Sequence, residues 1–453
     1  MARILIRGAA IVSMDERVGD LTGDVLVEDG DIAAVGPGIE VDRAACEIVD
    51  AAGCIVIPGL INAHMHTWQT GLRGVAANWT LLEYFKHVHA GLATLFGPSD
   101  IGIATLAGAL NQINCGTTTL VDWCHNNPTP AHTDAAIDAL IDSGIRAAFF
   151  HGSPKPDARP GERPFWEVPH PRAEVERLTR ARLPGNGGLV TLGLAILGPH
   201  YSTLEVALSD FALAREFGLT ASMHQGGGEA RTPDGWQRLE AAGLLGAHIN
   251  IVHGNNLSDD QLRRFVDLGM SFSITPENEM AQGHGHPITG RLRALGSGPT
   301  LGVDLESVLS GDMFTVARMA LAMQRTLDNA EHRARHGSIP ETSTIPVREA
   351  LEWVTMRAAR MLGMADRIGS LSPGKAADLV IIDARQLNMR PVIDPVASVV
   401  MQTSLANIDA VMIAGQWKKR GGRLLRDDLA RVGTLLEDSG RRIVGEMRAR
   451  MVH

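Results

Sequence analysis

Two histidines one residue apart, His64 and His66, close an apolar run in the stretch PGLINAHMHTWQTGLRG. Side chains alternate across an extended segment, so these two imidazoles point the same way and can serve one ion. The spacing alone is a weak signal in a chain of 17 histidines, where His87 and His89, and His284 and His286, repeat it. Further polar residues, however, also end short apolar runs: His224 after LTASM, His253 after INIV and Asp304 after PTLGV. Imidazoles with a carboxylate suit a divalent ion such as Zn²⁺ or Fe²⁺. An ion so held polarises a target carbon and makes water acidic, which is hydrolytic chemistry.

The elements that must bring these residues together follow from the rhythm of the chain. After Pro58, short apolar runs alternate with amphipathic stretches such as ALSDFALAREFG and SDDQLRRFVDLG. Beyond the run that precedes His64, the candidate strands are 116–122, 145–151, 189–197, 219–224, 249–253, 270–275 and 299–304. Eight strand-then-helix units over roughly 300 residues predict a (β/α)₈ TIM-like barrel, whose chemistry sits at the C-terminal ends of its strands. The polar strand ends fall in register with that layout. An open doubly wound sheet competes, but no phosphate-binding glycine fingerprint opens a helix.

Both ends of the chain read differently from the middle. ILIRGAAIV, DVLVEDGDIAAVG and CEIVDAAGCIVIPG alternate at strand spacing, with Asp29 and Gly30 as a hairpin signal, and GSLSPGKAADLVIIDA and IDAVMIAGQWKKRGG return to that pattern. The prediction is a small β-sandwich domain built from both termini, residues 1–57 plus 365–425. The barrel spans 58–364, and 426–453 forms a C-terminal helical segment.

A chain of 453 residues, 45% hydrophobic and with a net charge of -9, argues against nucleic acid and anionic membranes as main partners and leaves a small-molecule substrate. No apolar run reaches the roughly 18–20 residues of a membrane span, and acidic residues follow the N-terminus too soon for a signal peptide. Cys46, Cys54, Cys115 and Cys124 form no CxxC pair and read as reduced core thiols, which points to the cytoplasm.

PGLINAHMH, GTTTLVD, the histidine closing the fifth strand, VHGNNLS, TPENEM, LGVDLESVLSGDMF and the closing GSLSPGKAADLVIID together resemble the amidohydrolase superfamily. The branch most similar contains triazine hydrolases and cytosine, guanine and S-adenosylhomocysteine deaminases. The resemblance implies one divalent metal ion, Zn²⁺ ahead of Fe²⁺, bound by His64, His66, His224 and Asp304. It further implies that His253 contacts the activated water or a substrate oxygen, and that the protein is a homo-oligomer, a dimer or higher. Binuclear relatives bridge two ions with a carbamylated lysine. None of the five lysines falls in LVTLGLAILGPH, which leaves Lys155 as the one candidate for that role.

The chain departs from the branch at one chemically important position. Many of its deaminases carry a glutamate three residues after the fifth-strand histidine; HQGGGEA puts Gly227 there, with Glu229 off register. An amine leaves poorly unless it is protonated. Asp304, His253, or a carboxylate of TPENEM, Glu277 or Glu279, must then carry the proton, with Asp304 preferred as the catalytic residue beside His253. Trp68, Gln69, His200, His253 and Glu279 are the expected substrate contacts. Asp122 is expected to anchor a loop or cap a helix, and Asp312 to be structural. The expected reaction is deamination of an aminated N-heterocycle. Alternatives are hydrolysis of a substituted amine, urea, carbamate or cyclic amide, dehalogenation, or a catalytically silent ligand-binding relative.

Overall fold

The computed structural model describes residues 3–452. The N-terminal portion contributes strands β1 (Arg3–Val12), β2 (Asp20–Glu28), β3 (Asp31–Gly36), β4 (Glu47–Asp50) and β5 (Cys54–Pro58). The turn from β2 to β3 places Asp29 at φ 52° and Gly30 at φ 99°, the positive values a two-residue hairpin turn needs.

The barrel follows: β6 (Leu60–Met65), β7 (Thr117–Cys124), β8 (Arg146–Gly152), β9 (Val190–Ala195), β10 (Ala221–Gln225), β11 (Ile249–His253), β12 (Ser271–Ile274) and β13 (Thr300–Leu301). These eight strands pair in sequence order, every pair parallel. The ring closes between β13 and β6 through a bridge of Met65 with Asp304. There Asp304 N–H donates to the His64 carbonyl at 3.0 Å and His66 N–H donates to the Asp304 carbonyl at 2.9 Å. Gly302 permits this approach, since a Cβ there would lie 2.5 Å from the His64 carbonyl oxygen.

The chain's C-terminal part returns to the first sheet with β14 (Leu379–Asp383), β15 (Ile408–Ile413), β16 (Gln416–Arg420) and β17 (Arg423–Leu424). The two termini build one continuous nine-stranded sheet, in which β1 pairs β4 along its first half and β5 along its second. Ile6, Ile11 and Val27 from one terminus pack in one apolar cluster with Leu379, Ile381 and Met412 from the other. A buried ion pair joins the barrel to this sheet: Arg146 of β8 makes two bonds, of 2.7 and 3.1 Å, to Asp378.

Inside the barrel, Ile61, Val121, Trp123, Ala148 and Phe150 pack on Ala358, Ala359 and Met361 of the helix Met356–Met361. These side chains fill the barrel with a packed core below the site. The C-terminal segment is one helix, Leu429–Val452, tied to the helix Pro98–Asn114 by Ser439 and Arg442, each 2.6 Å from Asp100. Among the described residues no single helix is long and apolar enough to cross a membrane.

Candidate metal centre

The four residues His64, His66, His224 and Asp304 come together, each offering one ligand atom, with all four atoms within 4.8 Å of one another. The local reason is more than strand alternation. Between Asn62, opposite Leu120, and Met65, opposite Asp122, β6 makes three residue steps against two on β7. This bulge lets Ala63 stay in the interior cluster while His64, one residue on, also joins the interior. At the opposite edge of the closure Asp304 adopts φ 70°, and His253 at the end of β11 adopts φ 66°. Such conformations are uncommon outside glycine and here bend each backbone at a strand end.

The donor set fits a divalent ion. Asp304 Oδ1 lies 3.4 Å from His64 Nε2 and 3.3 Å from His66 Nε2. Ligands about 2.0–2.2 Å from one tetrahedral centre would stand at about these separations. His66 Nδ1 donates to the Trp123 carbonyl at 2.5 Å, which leaves Nε2 as the lone-pair nitrogen. Neither ring nitrogen of His64 has a protein partner, nor has Nδ1 of His224, although all are buried. Burial pulls the His64 pKa down to about 3 and that of His224 well below the ordinary value, so both imidazoles are neutral, the metal-binding form. Burial opposes ionisation of Asp304, but the close imidazoles of His64 and His66 outweigh it and hold the carboxyl well below the usual range.

A second layer grips the far oxygen of Asp304. Asn278 Nδ2 donates to Oδ2 at 2.7 Å and the Thr275 hydroxyl donates to it at 3.2 Å. His253 Nε2 stands 3.8 Å from the same oxygen. On its other side His253 Nδ1 meets Glu279 Oε1 at 3.1 Å. Glu279 is fully buried, its carboxylate accepting also from Thr275 N–H at 2.8 Å and Asn255 Nδ2 at 3.2 Å. Burial works against a charged His253, yet Glu279 and then Asp304 raise its pKa above the ordinary value.

The metal ligands open into an inner pocket of about 30 Å³, lined also by Tyr84, His125, His253, Asn278 and His284. An outer cavity of about 770 Å³ adjoins it. Phe85, His89, Lys155 and Tyr201 line both and form the neck between them.

Of the expected substrate contacts, only His253 lines the inner pocket. Trp68 is fully buried behind it and donates from Nε1 to His125 Nδ1 at 3.0 Å. His125 in turn stacks on His66 at 4.2 Å between ring centres. Gln69, also fully buried, donates to the Tyr84 hydroxyl at 2.5 Å and accepts from the Ser307 hydroxyl at 2.7 Å. His200 is buried beside Gln225, 3.4 Å away, and lines neither cavity. Glu279 reaches the pocket only through His253. Glu277 and Glu279 both sit in the first turn of the helix Pro276–Gln282. Asp122 anchors the loop after β6, accepting from Thr67 N–H at 3.2 Å, and Asp312 caps the helix Met313–His336.

Among the residues the sequence did not single out for the pocket are His125, Tyr84, Phe85, Tyr201 and Asn278, with His89 and Lys155 read only as a repeated spacing and a bridging candidate. His125 had a local signal. The candidate strand stops at Asp122, whereas β7 runs on through Trp123 and Cys124, paired with Phe150 and His151, so His125 is the residue that follows the strand. Gly227 also behaves differently from a vacant glutamate position. Gly227 lines the outer cavity at φ 82°, and a Cβ there would lie 2.7 Å from Cδ2 of Leu81, which lines the inner pocket, and 3.1 Å from the Tyr201 hydroxyl at the neck.

Comparisons with known proteins agree with this architecture. The amidohydrolase family model matches residues 55–418. An 8-oxoguanine deaminase of Pseudomonas aeruginosa is 29% identical over 436 residues, covering 91% of this chain and 92% of the relative. A 5-methylthioadenosine/S-adenosylhomocysteine deaminase of Desulforudis audaxviator is 27% identical over 459 residues, covering 98% and 99%. Among solved structures, an atrazine chlorohydrolase variant of Arthrobacter aurescens TC1, complexed with zinc and atraton, superposes with a TM-score of 0.85 at 23% identity, over 96% of this chain and 100% of that one. A closed parallel barrel with a site at its rim, a composite sheet from both termini and a family match across most of the length lead to one conclusion: the chain belongs to the amidohydrolase family.

Proposed function

We propose that this amidohydrolase, a hydrolase of non-peptide carbon–nitrogen bonds, deaminates an aminated N-heterocycle with one divalent ion, Zn²⁺, held by His64, His66, His224 and Asp304. The observation that carries the reading is the meeting of those four donors, two with orphaned buried nitrogens, at the bottom of a pocket reached through an aromatic neck. An ion bound there supplies Lewis acidity and lowers the pKa of water toward about 7.

The chain's own residues do the remaining work. Phe85, Tyr201 and His89 at the neck suit a flat ring, and Tyr84, Phe85 and Leu81 close the pocket against bulk water. Asp304 takes the proton of the attacking water, while Asn278 and Thr275 hold its Oδ2 in place. His253 contacts the ring and hands a proton to the leaving nitrogen from Nε2, its ring oriented and charge-supported by Glu279. Trp68 and Gln69 act as positioning residues, through His125 and Tyr84 respectively. His200 braces Gln225 at the end of β10, one residue after the ligand His224.

The deaminases among the relatives support this reading. Gly227, which gives the outer cavity a wall without a side chain, favours a second one: release of chloride, which departs without a proton, or of a bulkier substituted amine. Four unpaired cysteines support a cytoplasmic location, and assembly as a homo-oligomer belongs to the same proposal. The test is a panel of aminated pyrimidines, purines and triazines, together with ureas, offered to metal-replete enzyme. Ammonia release is expected; alkylamine or chloride instead selects the second reading, and no product with any compound overturns both.

A further inference from the structure

Lys155 stands just beyond β8, only 8% exposed, where the inner pocket meets the outer cavity. Its Nζ lies 5.6 Å from the Trp123 ring centre and 5.5 Å from that of Tyr201. Among the described residues it makes no salt bridge and no hydrogen bond. The rings supply part of what a largely buried ammonium needs, but its three donors have no protein acceptor and open onto the cavity. No nearby carboxylate is free to serve. Asp304 is engaged by His64, His66, Asn278 and Thr275, and Glu279 by His253, Thr275 and Asn255. Asp157, in the outer cavity, is exposed and makes no ion pair with it. Of the imidazoles at the neck and inner wall, His89 and His125 are neutral, their protonation disfavoured first by burial and further by Lys155.

Leaving a buried ammonium without a counter-ion is costly unless something entering the cavity pairs with it. We propose that the substrate carries a negatively charged oxygen substituent, a carboxylate or an ionised oxo group of the ring, and that Lys155 selects it at the neck of the pocket. This rests on the reading of the pocket as a hydrolase site. It adds a requirement that reading does not contain: an aminated ring that is also an acid. The ring then lies between Lys155 at the neck and the ligand cluster below, with its acidic oxygen and its amino carbon at opposite ends. Burial lowers the Lys155 pKa to about 8, which leaves the side chain mostly protonated at neutral pH.

The test uses two probes of nearly equal shape, aminopyrazinecarboxylate and aminopyrazinecarboxamide, titrated calorimetrically into metal-replete protein. Wild type is expected to bind the carboxylate about tenfold or more tightly than the amide, the factor typical of a hydrogen bond to a charged group. Lys155→Met should bring the two affinities within about twofold, and Lys155→Arg should keep the preference. Equal affinities in the wild type, including no detectable binding of either probe, overturn the proposal whatever the variants do, and so does a preference that survives in Lys155→Met. Ammonia release from neutral rings with no carboxylate preference would sink this inference alone. A carboxylate preference in a protein that hydrolyses nothing would leave Lys155 as an anion receptor and sink the catalytic reading instead.

Discussion

The amide of Asp304 donates to the carbonyl of His64 at 3.0 Å, so a hydrogen bond that closes the barrel also ties one metal ligand to another. The consequence is a site that cannot assemble before the ring shuts. Residues 240 positions apart in the chain are held by main-chain geometry, and their side chains meet 3.4 Å apart as a result. Gly302 belongs to the same device, because any side chain there would push β13 off β6.

His64→Ala and Asp304→Ala should each lose bound metal. Ligand loss exceeds the roughly 10–100-fold effect usual for residues behind the ligands, so turnover should fall by more than about a hundredfold. Elemental analysis and steady-state kinetics check this together. A chelator should reproduce the loss in wild type and added Zn²⁺ should reverse it; an apoenzyme as active as the treated control contradicts the site.

Glu279→Gln keeps the size of the side chain but removes the charge behind His253. Metal content should stay stoichiometric while kcat falls about 10–100-fold, as for other residues that orient a site. An unchanged kcat would mean that Glu279 only fills space.

Gly227→Glu should not restore a proton carrier. The residue's φ of 82° disfavours any side chain, and the new Cβ would run into Leu81 and Tyr201. The expected outcome is lower stability by about 1 kcal/mol or more and no gain in ammonia release on any aminated ring. A clear rise in deamination would show that the loop 226–228 can turn the side chain inward.

Asp378→Ala would leave Arg146 buried without its partner and take an acceptor from Ala414 N–H, now 2.7 Å away. Breaking a buried pair costs about 3–5 kcal/mol, so chemical denaturation should show a loss on that scale. A loss under about 1 kcal/mol would mean that water replaces the carboxylate at the seam.

Asp210 is buried on the helix Leu204–Glu216 and accepts from His170 N–H at 2.8 Å. Burial raises its pKa from 3.8 to about 7. Between those values the folded state keeps a proton that the unfolded state has lost, so stability is full below about pH 4 and declines as pH rises toward about 7. Asp210→Asn keeps the acceptor and cannot ionise. Its Tm should therefore be less sensitive to pH over that interval, and higher than wild type at pH 8; parallel Tm–pH curves would contradict the assignment.

What depends on neighbouring residues was legible in the chain alone. Apolar runs, alternating at the termini and short and continuous in the barrel, place the strands, Asp29 and Gly30 make their hairpin, and the polar residues that end the barrel runs, His64, His66, His224, His253 and Asp304, do lie at one rim of one barrel. Which way the remaining side chains face was set by packing between distant segments. Trp68 and Gln69 follow the ligands directly, yet they are held away from the pocket by His125 after β7 and by Tyr84 of the helix Leu81–Tyr84. Glu279 meets His253 because the helix Pro276–Gln282 begins just past β12, at the same rim as the end of β11, and Lys155 acquires its meaning only where Trp123 and Tyr201 converge on it. Strand periodicity is a local property, written in adjacent residues. The orientation of a loop side chain is set by segments far away in the chain, which leave no mark in the residues beside it.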